Sequence, residues 1–377
     1  MAIAYILEPS GLPLSIIEDY NRLEWTRDYY KPGSFRLDVN FNLGSSKQIQ
    51  KGNLVAPQEQ DVTGFDPDAV YLIEQIERNI DENGKQGEIF NVSGRSVGGI
   101  FEERLILPAS GQEFDTRTGP AETVMKGYVN ANVGPGAAAT RKLTNLTIAS
   151  DLGRGSSVTY QGRYQTVAQM LEELALISGV GWEVTYDSMG QFQFDVIPGV
   201  DRTVSSGTPV FFDVGFDTIR SLKWLQSDIQ TKSFAYVGGK GEGVTRPIVT
   251  TFTGGTEPQG FDRREIWVDA QDLDNTTALQ DKGRAELADK DAEDVVEVEV
   301  HWYGSFRYRR DWDLGDTVTV RRDAWGLLVE ARIIGVTNTS SSGQSHMDTT
   351  VHLSNPWPTL VSRVNDIRKL SDAGRRI

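Results

Sequence analysis

The stretch FAYVGGKGEGVTR, Phe234 to Arg246, sets four glycines, Gly238, Gly239, Gly241 and Gly243, directly behind an apolar run. Read as a phosphate cradle, it makes the chain a nucleotide-binding α/β protein; read as a backbone turn, it leaves a protein of many strands. A dinucleotide fingerprint needs Gly-x-Gly-x-x-Gly opening a helix. Here Gly239-Lys240-Gly241-Glu242-Gly243 is followed by VTRPIV, whose Pro247 and β-branched residues favour extended chain. A P-loop would add Gly-Lys-Ser/Thr after its four-residue gap, and that is absent. Glu242 would also repel a phosphate. The stretch therefore reads as a tightly turned connection between strands.

Outward from it, strands dominate. Toward the N-terminus lie RSLKWLQSDIQTKSFAYVGG and PVFFDVG. Far upstream, SFRLDVNFN alternates at Phe35, Leu37, Val39 and Phe41, and Asn83-Gly84 between two apolar runs signals a hairpin. LSIIEDYNRLEW fits a helical face at Ile16, Ile17, Tyr20 and Leu23, but its flanks read as strands. SVGGIFEERL reads as a short helix, PASGQEFDTRTGPAET and NVGPGAAATRKLTN as loops, and TVMKGYVNA as helical. The plainest helix is TVAQMLEELALIS. Thr166 and Gln169 form a capping box, Val167, Met170, Leu171, Leu174 and Ile177 one stripe, and Gly179 the C-terminal glycine. GWEVTYDSMGQFQFDVIP follows as strand, turn and strand. Past the glycines come REIWVDAQDLDN, a helix over 276–289, and the strands of DVVEVEVHWYG, DWDLGDTVTVRRD, LLVEARIIGVTNT and TTVHLSNP. So many short strands close together predict a compact barrel.

Composition bounds the function. The 377 residues require several domains, and 38 glycines suit many tight turns. A net charge of −15 argues against tight duplex-DNA binding, although a negative wall lets DNA slide past without sticking. There is no cysteine, which excludes disulfides and thiolate metal sites. No signal peptide and no membrane-length apolar run is read, so a soluble protein made in a cytoplasm is expected.

Other candidate sites are weaker. In DWDLGD, Asp311 to Asp316, an EF-hand fails at Gly315, Asp316 and Arg322; the segment reads as a turn with Gly315 at positive φ and Asp316 bonding backbone N–H groups. His301, His346 and His352 lack zinc-hydrolase spacing. Glu102-Glu103, Glu172-Glu173, Asp272 with Asp274, and the acidic run over 289–294 offer carboxylate pairs, but with 53 acidic residues such pairs arise by chance. Glu172 and Glu173 are expected on the solvated side of their helix. Trp224, Trp267, Trp302, Trp312, Trp325 and Trp357 could stack sugars, but their places in alternating strands favour core or interface burial. No Gly-x-Ser-x-Gly elbow is present.

Taken in order, LEWTRDYYKPGSFRLDV, FNVSGRSVGGIFEERLILP, the capped helix with its hairpin, YVGGKGEGVTR, REIWVDAQDL and WDLGDTVTV resemble the baseplate hub, or tail-tip, proteins of long-tailed siphophages. That family is related in fold to the contractile-phage baseplate hub and to the N-terminal part of tail-associated lysins. The resemblance implies a mainly β fold with α+β insertions: two β-barrel domains plus two smaller domains, phage tail hub-like. The first barrel would be 1–110 plus 205–240, the inserted α/β domain 111–204, a linker or helical domain 241–289, the second barrel 290–355, and a basic C-terminal tail 356–377.

It also implies a homotrimer whose two barrels per subunit make a pseudo-sixfold ring. That ring would join a distal tail or tail tube protein to a threefold tip or fibre protein and line the DNA exit channel. Phage DNA would pass without specific binding. No catalytic residue, cofactor, metal or small-molecule substrate is implied. The protein would sit at the virion tail tip after assembly in the host cytoplasm. Gly238, Gly239, Gly241, Gly243 and Arg246 would form the crossing from the first barrel to the next domain, and Leu314, Gly315 and Asp316 the barrel turn. Arg363, Arg368, Lys369, Arg375 and Arg376 would dock on an acidic neighbour or end a solvated helix. The chain stops at Ile377, which leaves no room for the hydrolase or receptor-binding extension of some relatives. Two other readings stay open: an extracellular or virion glycan-binding or glycan-cleaving β-barrel protein, and a nucleotide-dependent enzyme resting on the glycine loop alone.

Overall fold

The computed structural model describes residues 2–40, 44–58, 64–80, 88–187, 190–290, 293–301, 303–344 and 346–353. The first group of strands is β1 (Ile3–Leu7), β2 (Pro13–Ile17), β3 (Arg22–Asp28), β4 (Ser34–Asn40), β5 (Leu54–Gln58), β6 (Tyr71–Leu72), β7 (Gln75–Ile80) and β8 (Glu88–Arg95). Alternation in β3 and β4 turns Leu23, Trp25, Phe35, Leu37 and Val39 inward. The ambiguous stretch becomes β2 and β3, because Ile16 and Ile17 find partners in Tyr5 and Ala4 of β1. Sheet β2-β1-β5-β6 packs on β3-β4-β8-β7 around Ile6, Ile17, Trp25, Leu37, Val55 and Tyr71. The Asn83-Gly84 turn lies outside the described residues, but β7 and β8 on its two sides pair antiparallel. The short helix expected after β8 is a 3-10 segment, Val97–Glu103. Two adjacent glycines weaken an α-helix there, and Gly98 lies against the Trp182 ring, where a Cβ would sit 2.8 Å away.

The inserted domain contains β9 (Asp115–Pro120), α1 (Ala121–Asn132), β10 (Leu146–Ile148), β11 (Ser157–Gly162), α2 (Val167–Ser178), β12 (Gly181–Tyr186) and β13 (Phe192–Ile197). Part of a segment read as loop, DTRTGP, is β9. It pairs with β11 from end to end, and cross-strand pairing outweighs its turn-like composition. At α2 the Gln169 N–H donates to the Thr166 hydroxyl at 3.1 Å, and the Thr166 N–H donates to the Gln169 side chain at 3.0 Å. Gly179 ends the helix at φ +70°. Replacing Thr166 by alanine is expected to cost about 1 kcal/mol in denaturant unfolding; an unchanged midpoint would show that the cap contributes nothing. Glu172 and Glu173 are not on a solvated face. Each is half-buried, Glu172 paired with Lys31 and Glu173 with Lys282, because α2 is flanked by two other elements.

The rest of the chain supplies β14 (Asp201–Arg202), β15 (Phe211–Asp213), β16 (Ile219–Ser227), β17 (Phe234–Gly238), β18 (Ile248–Phe252), β19 (Glu265–Asp269), α3 (Thr276–Asp289), β20 (Glu293–Val300), β21 (Thr317–Arg322), β22 (Leu327–Ser341) and β23 (Asp348–Leu353). Two expected boundaries need correction. Segment 205–240 does not return to the first strand group: β15 pairs with β21 and β16 pairs with β20, both from the C-terminal group. The linker or helical domain expected at 241–289 has its helix, but it starts earlier and carries strands as well. β17 already lies at the centre of a three-stranded sheet, β18-β17-β19, with α3 packed against it. This small α+β unit is inserted in the β16–β20 hairpin, where the Lys232 N–H donates to the Lys290 carbonyl at 2.7 Å and closes the stem.

β22 joins the two strand groups. Its first half pairs with β21, and its second half pairs with β23 on one side and β3 on the other. One 11-stranded sheet therefore runs through both groups. Phe212, Val298, Trp312, Val320, Ile333 and Val351 pack the C-terminal group. Among the described residues no helix is long and apolar enough to cross a membrane.

Candidate functional site

The glycine stretch is the β17–β18 hairpin connection, with Gly238 opposite Ile248. It is therefore not the crossing between domains; the chain crosses earlier, at the stem before Phe234. A Cβ on Gly238 would lie 2.6 Å from the Trp267 ring, so that ring requires a glycine there. Arg246 closes the loop on itself. It donates to the Gly239 carbonyl through Nε and to the Gly238 carbonyl through Nη2, both at 2.8 Å. Its guanidinium pairs with Asp269 and lies 5.3 Å from the Trp267 ring centre. Gly239, Gly241 and Gly243 sit in the same loop, which ends in a single 3-10 turn, Gly243–Thr245, and runs on into β18 rather than into an α-helix.

The second motif lies elsewhere. Leu314 is buried in the core and Gly315 adopts φ +90° against the Tyr29 ring. Arg332 Nη1 donates to the Gly315 carbonyl at 2.8 Å, the Pro198 carbonyl at 2.9 Å and the Tyr29 hydroxyl at 3.1 Å. The Asp316 carboxylate accepts from the Val200 N–H at 2.8 Å, the Asp313 N–H at 3.0 Å and Arg202 Nε at 2.6 Å. This one turn ties together the end of β3, the exit from the inserted domain, and the β21–β22 pair.

Next to it is a charge cluster that the motifs do not announce. Arg27 on β3 is 6% exposed and donates to the Tyr308 hydroxyl at 2.7 Å, Asp313 at 2.8 Å and Glu183 on β12 at 3.0 Å, with Asp68 at 3.5 Å. Arg309 pairs with Asp66, and with Asp68 at 2.5 Å. Burial pushes the Glu183 carboxyl up to about 7; Arg27 opposes the shift, and Asp68 and Asp313 add to it. Burial also works upward on Asp68, but Arg27 and Arg309 outweigh it and hold that carboxyl below its ordinary value. The signal available in the sequence was Arg27 itself, a charge at the inward position of the Leu23, Trp25, Arg27 alternation. Its partners lie 41 to 286 residues away, which no local pattern records.

A third junction links the inserted domain to the small α+β unit. Lys282 pairs with Glu173 at 2.6 Å, Asp281 accepts from the Thr159 N–H at 3.0 Å, and Gln161 donates to Asp274 at 2.9 Å. A cleft of about 270 Å³ lies between the two. The histidines stay apart: His301 lies 3.3 Å from Asp217, His346 3.8 Å from Asp348, and His352 3.2 Å from the Thr337 hydroxyl. No group of three or more His, Asp or Glu among the described residues could hold a metal ion. Trp312 is buried and Trp224 packs on the core, but Trp267 and Trp325 are half-exposed. Trp302, Trp357 and the basic tail lie outside the described residues.

Over residues 3–351 the chain matches the family described as siphovirus ReqiPepy6 Gp37-like protein. It belongs to that family. Among solved structures it is similar to the 43 kDa tail protein of prophage MuSo2 from Shewanella oneidensis, at 13% identity and a TM-score of 0.55, over 94% of this chain and 98% of that one. The tail protein from Neisseria meningitidis MC58 gives 15% and 0.56, over 95% and 99%. The prophage tail protein gp18 from Listeria monocytogenes EGD-e gives 12% and 0.54, over 99% and 100%. No curated protein matches. The Gp37-like chain thus has the mainly β fold of those tail proteins.

Proposed function

We propose that this protein is a phage tail protein, the baseplate hub at the tail tip: three copies form a ring that joins the tail tube or distal tail protein to the tip or fibre and lines the DNA exit channel. The observation that carries the reading is β22, one strand hydrogen-bonded into both strand groups. A subunit whose two strand groups share a sheet holds them at fixed spacing, and three such subunits offer six similar surfaces to a sixfold tube. The turn at Gly315 and the cluster around Arg27 fasten the inserted domain to that frame. A net charge of −15 keeps DNA from adhering to the wall. The role is structural rather than catalytic. The mass of the purified protein in solution, alone and with neighbouring tail proteins, tests this. Three copies are expected; a stable monomer under both conditions contradicts the reading.

A further inference from the structure

We propose that the charge cluster around Arg27 and Arg309 is a proton-operated latch, which holds the inserted domain to the strand frame more tightly as the solution becomes mildly acidic. The inference goes beyond the hub role and does not depend on it.

The cluster joins four separate chain segments. Arg27 comes from β3, Asp66 and Asp68 from the loop after β5, Glu183 from β12 of the inserted domain, and Tyr308, Arg309 and Asp313 from the segment before β21. Its charges do not balance: two guanidiniums face four carboxylates, Asp66, Asp68, Glu183 and Asp313. Arg27 and Arg309 are each shared among several acids, so no acid has a cation to itself. The geometry is also strained. Arg309 is held at φ +67°, and its Nε is buried without a partner. A proton is the smallest species that can correct the imbalance, and Glu183 is where it goes, since burial and the neighbouring Asp68 and Asp313 raise its carboxyl.

The sign follows from linkage. A carboxyl raised to about 7 in the folded protein binds a proton that the unfolded chain, near the ordinary 4.5, has already released. Its stabilising contribution is present at low pH and is lost as pH rises through about 7. Ionised Glu183 keeps Arg27 as a partner but faces two more carboxylates. Protonated Glu183 removes that repulsion and leaves Arg27 to Asp313 and Asp68.

Glu183→Gln tests the latch, because glutamine imitates the protonated acid at every pH. Unfolding of the full chain would be measured at pH 5.5 and pH 8. At pH 5.5 the variant is expected to be already the more stable, by about tenfold in unfolded fraction, because the unfolded chain has released most of its proton there. At pH 8 its advantage should be larger, with the wild-type unfolded fraction raised relative to it by a further factor on the order of tenfold. A variant that is less stable by the same margin at both pH values would make Glu183 an ordinary ion-pair partner and overturn the proposal. Hydrogen exchange on the wild-type protein gives a second readout that needs no variant. After correction for intrinsic rates, Gly181–Tyr186 should lose protection at pH 8 relative to α2; a uniform change along the chain would also overturn it.

Discussion

Replacing Gly315 by valine destabilises the protein by about 3 kcal/mol or more in denaturant unfolding. Two independent penalties combine. The residue stands at φ +90°, where a β-branched side chain is strained. A Cβ would also fall 2.3 Å from Cε2 of Tyr29. Tyr29 cannot easily retreat. It is fully buried, its hydroxyl donates to the Ile197 carbonyl at 2.7 Å, and Arg332 lies 5.3 Å from its ring centre. Gly315→Ala should therefore lose much of the same stability, since the Cβ alone makes the collision. An unchanged unfolding midpoint for the valine variant would show that this turn does not hold the strand frame to the inserted domain.

The second large effect is expected at Arg27. Arg27→Met keeps the bulk of the side chain but removes its charge, leaving Glu183, Asp68 and Asp313 to repel one another. Breaking a buried pair by removing one partner costs about 3–5 kcal/mol. Adding Glu183→Gln to Arg27→Met should recover part of that loss, because it removes one of the stranded acids. A double variant no more stable than the single one would show that Glu183 does not share in the cluster. A loss below about 1 kcal/mol for Arg27→Met alone would place the pair among ordinary surface salt bridges.

The parts of the fold legible in the sequence were those with local causes. α2 shows how complete such a reading can be: cap, apolar stripe and terminal glycine all act within a few residues of one another. β4 followed from alternation, whereas β3 begins in a stretch that fitted a helical face equally well until β4 and β22 lay beside it. The errors arose where distant pairing decided the outcome. DTRTGP looks like a loop until β11 lies beside it. Segment 205–240 looks like a return to the first strands, but β20 and β21 are its partners. The glycine stretch shows both sides of this. Its spacing argued against a phosphate cradle, yet its position as a hairpin inside a small inserted unit depended on β19, which pairs with β17 across about thirty residues of chain. The Arg27 cluster was hidden for the same reason. Only a single inward arginine pointed to it, and its acids come from three other parts of the chain.

The proposed place of the protein is in a ring at the tail tip. Electron cryomicroscopy of the intact phage tail, resolved well enough to trace β22, tests it most directly. Three copies are expected around the tail axis at the tip, with β22 and its two strand groups next to the lumen and the inserted domain outside them. Finding the chain stacked along the tube, or off the axis and away from the lumen, would contradict it.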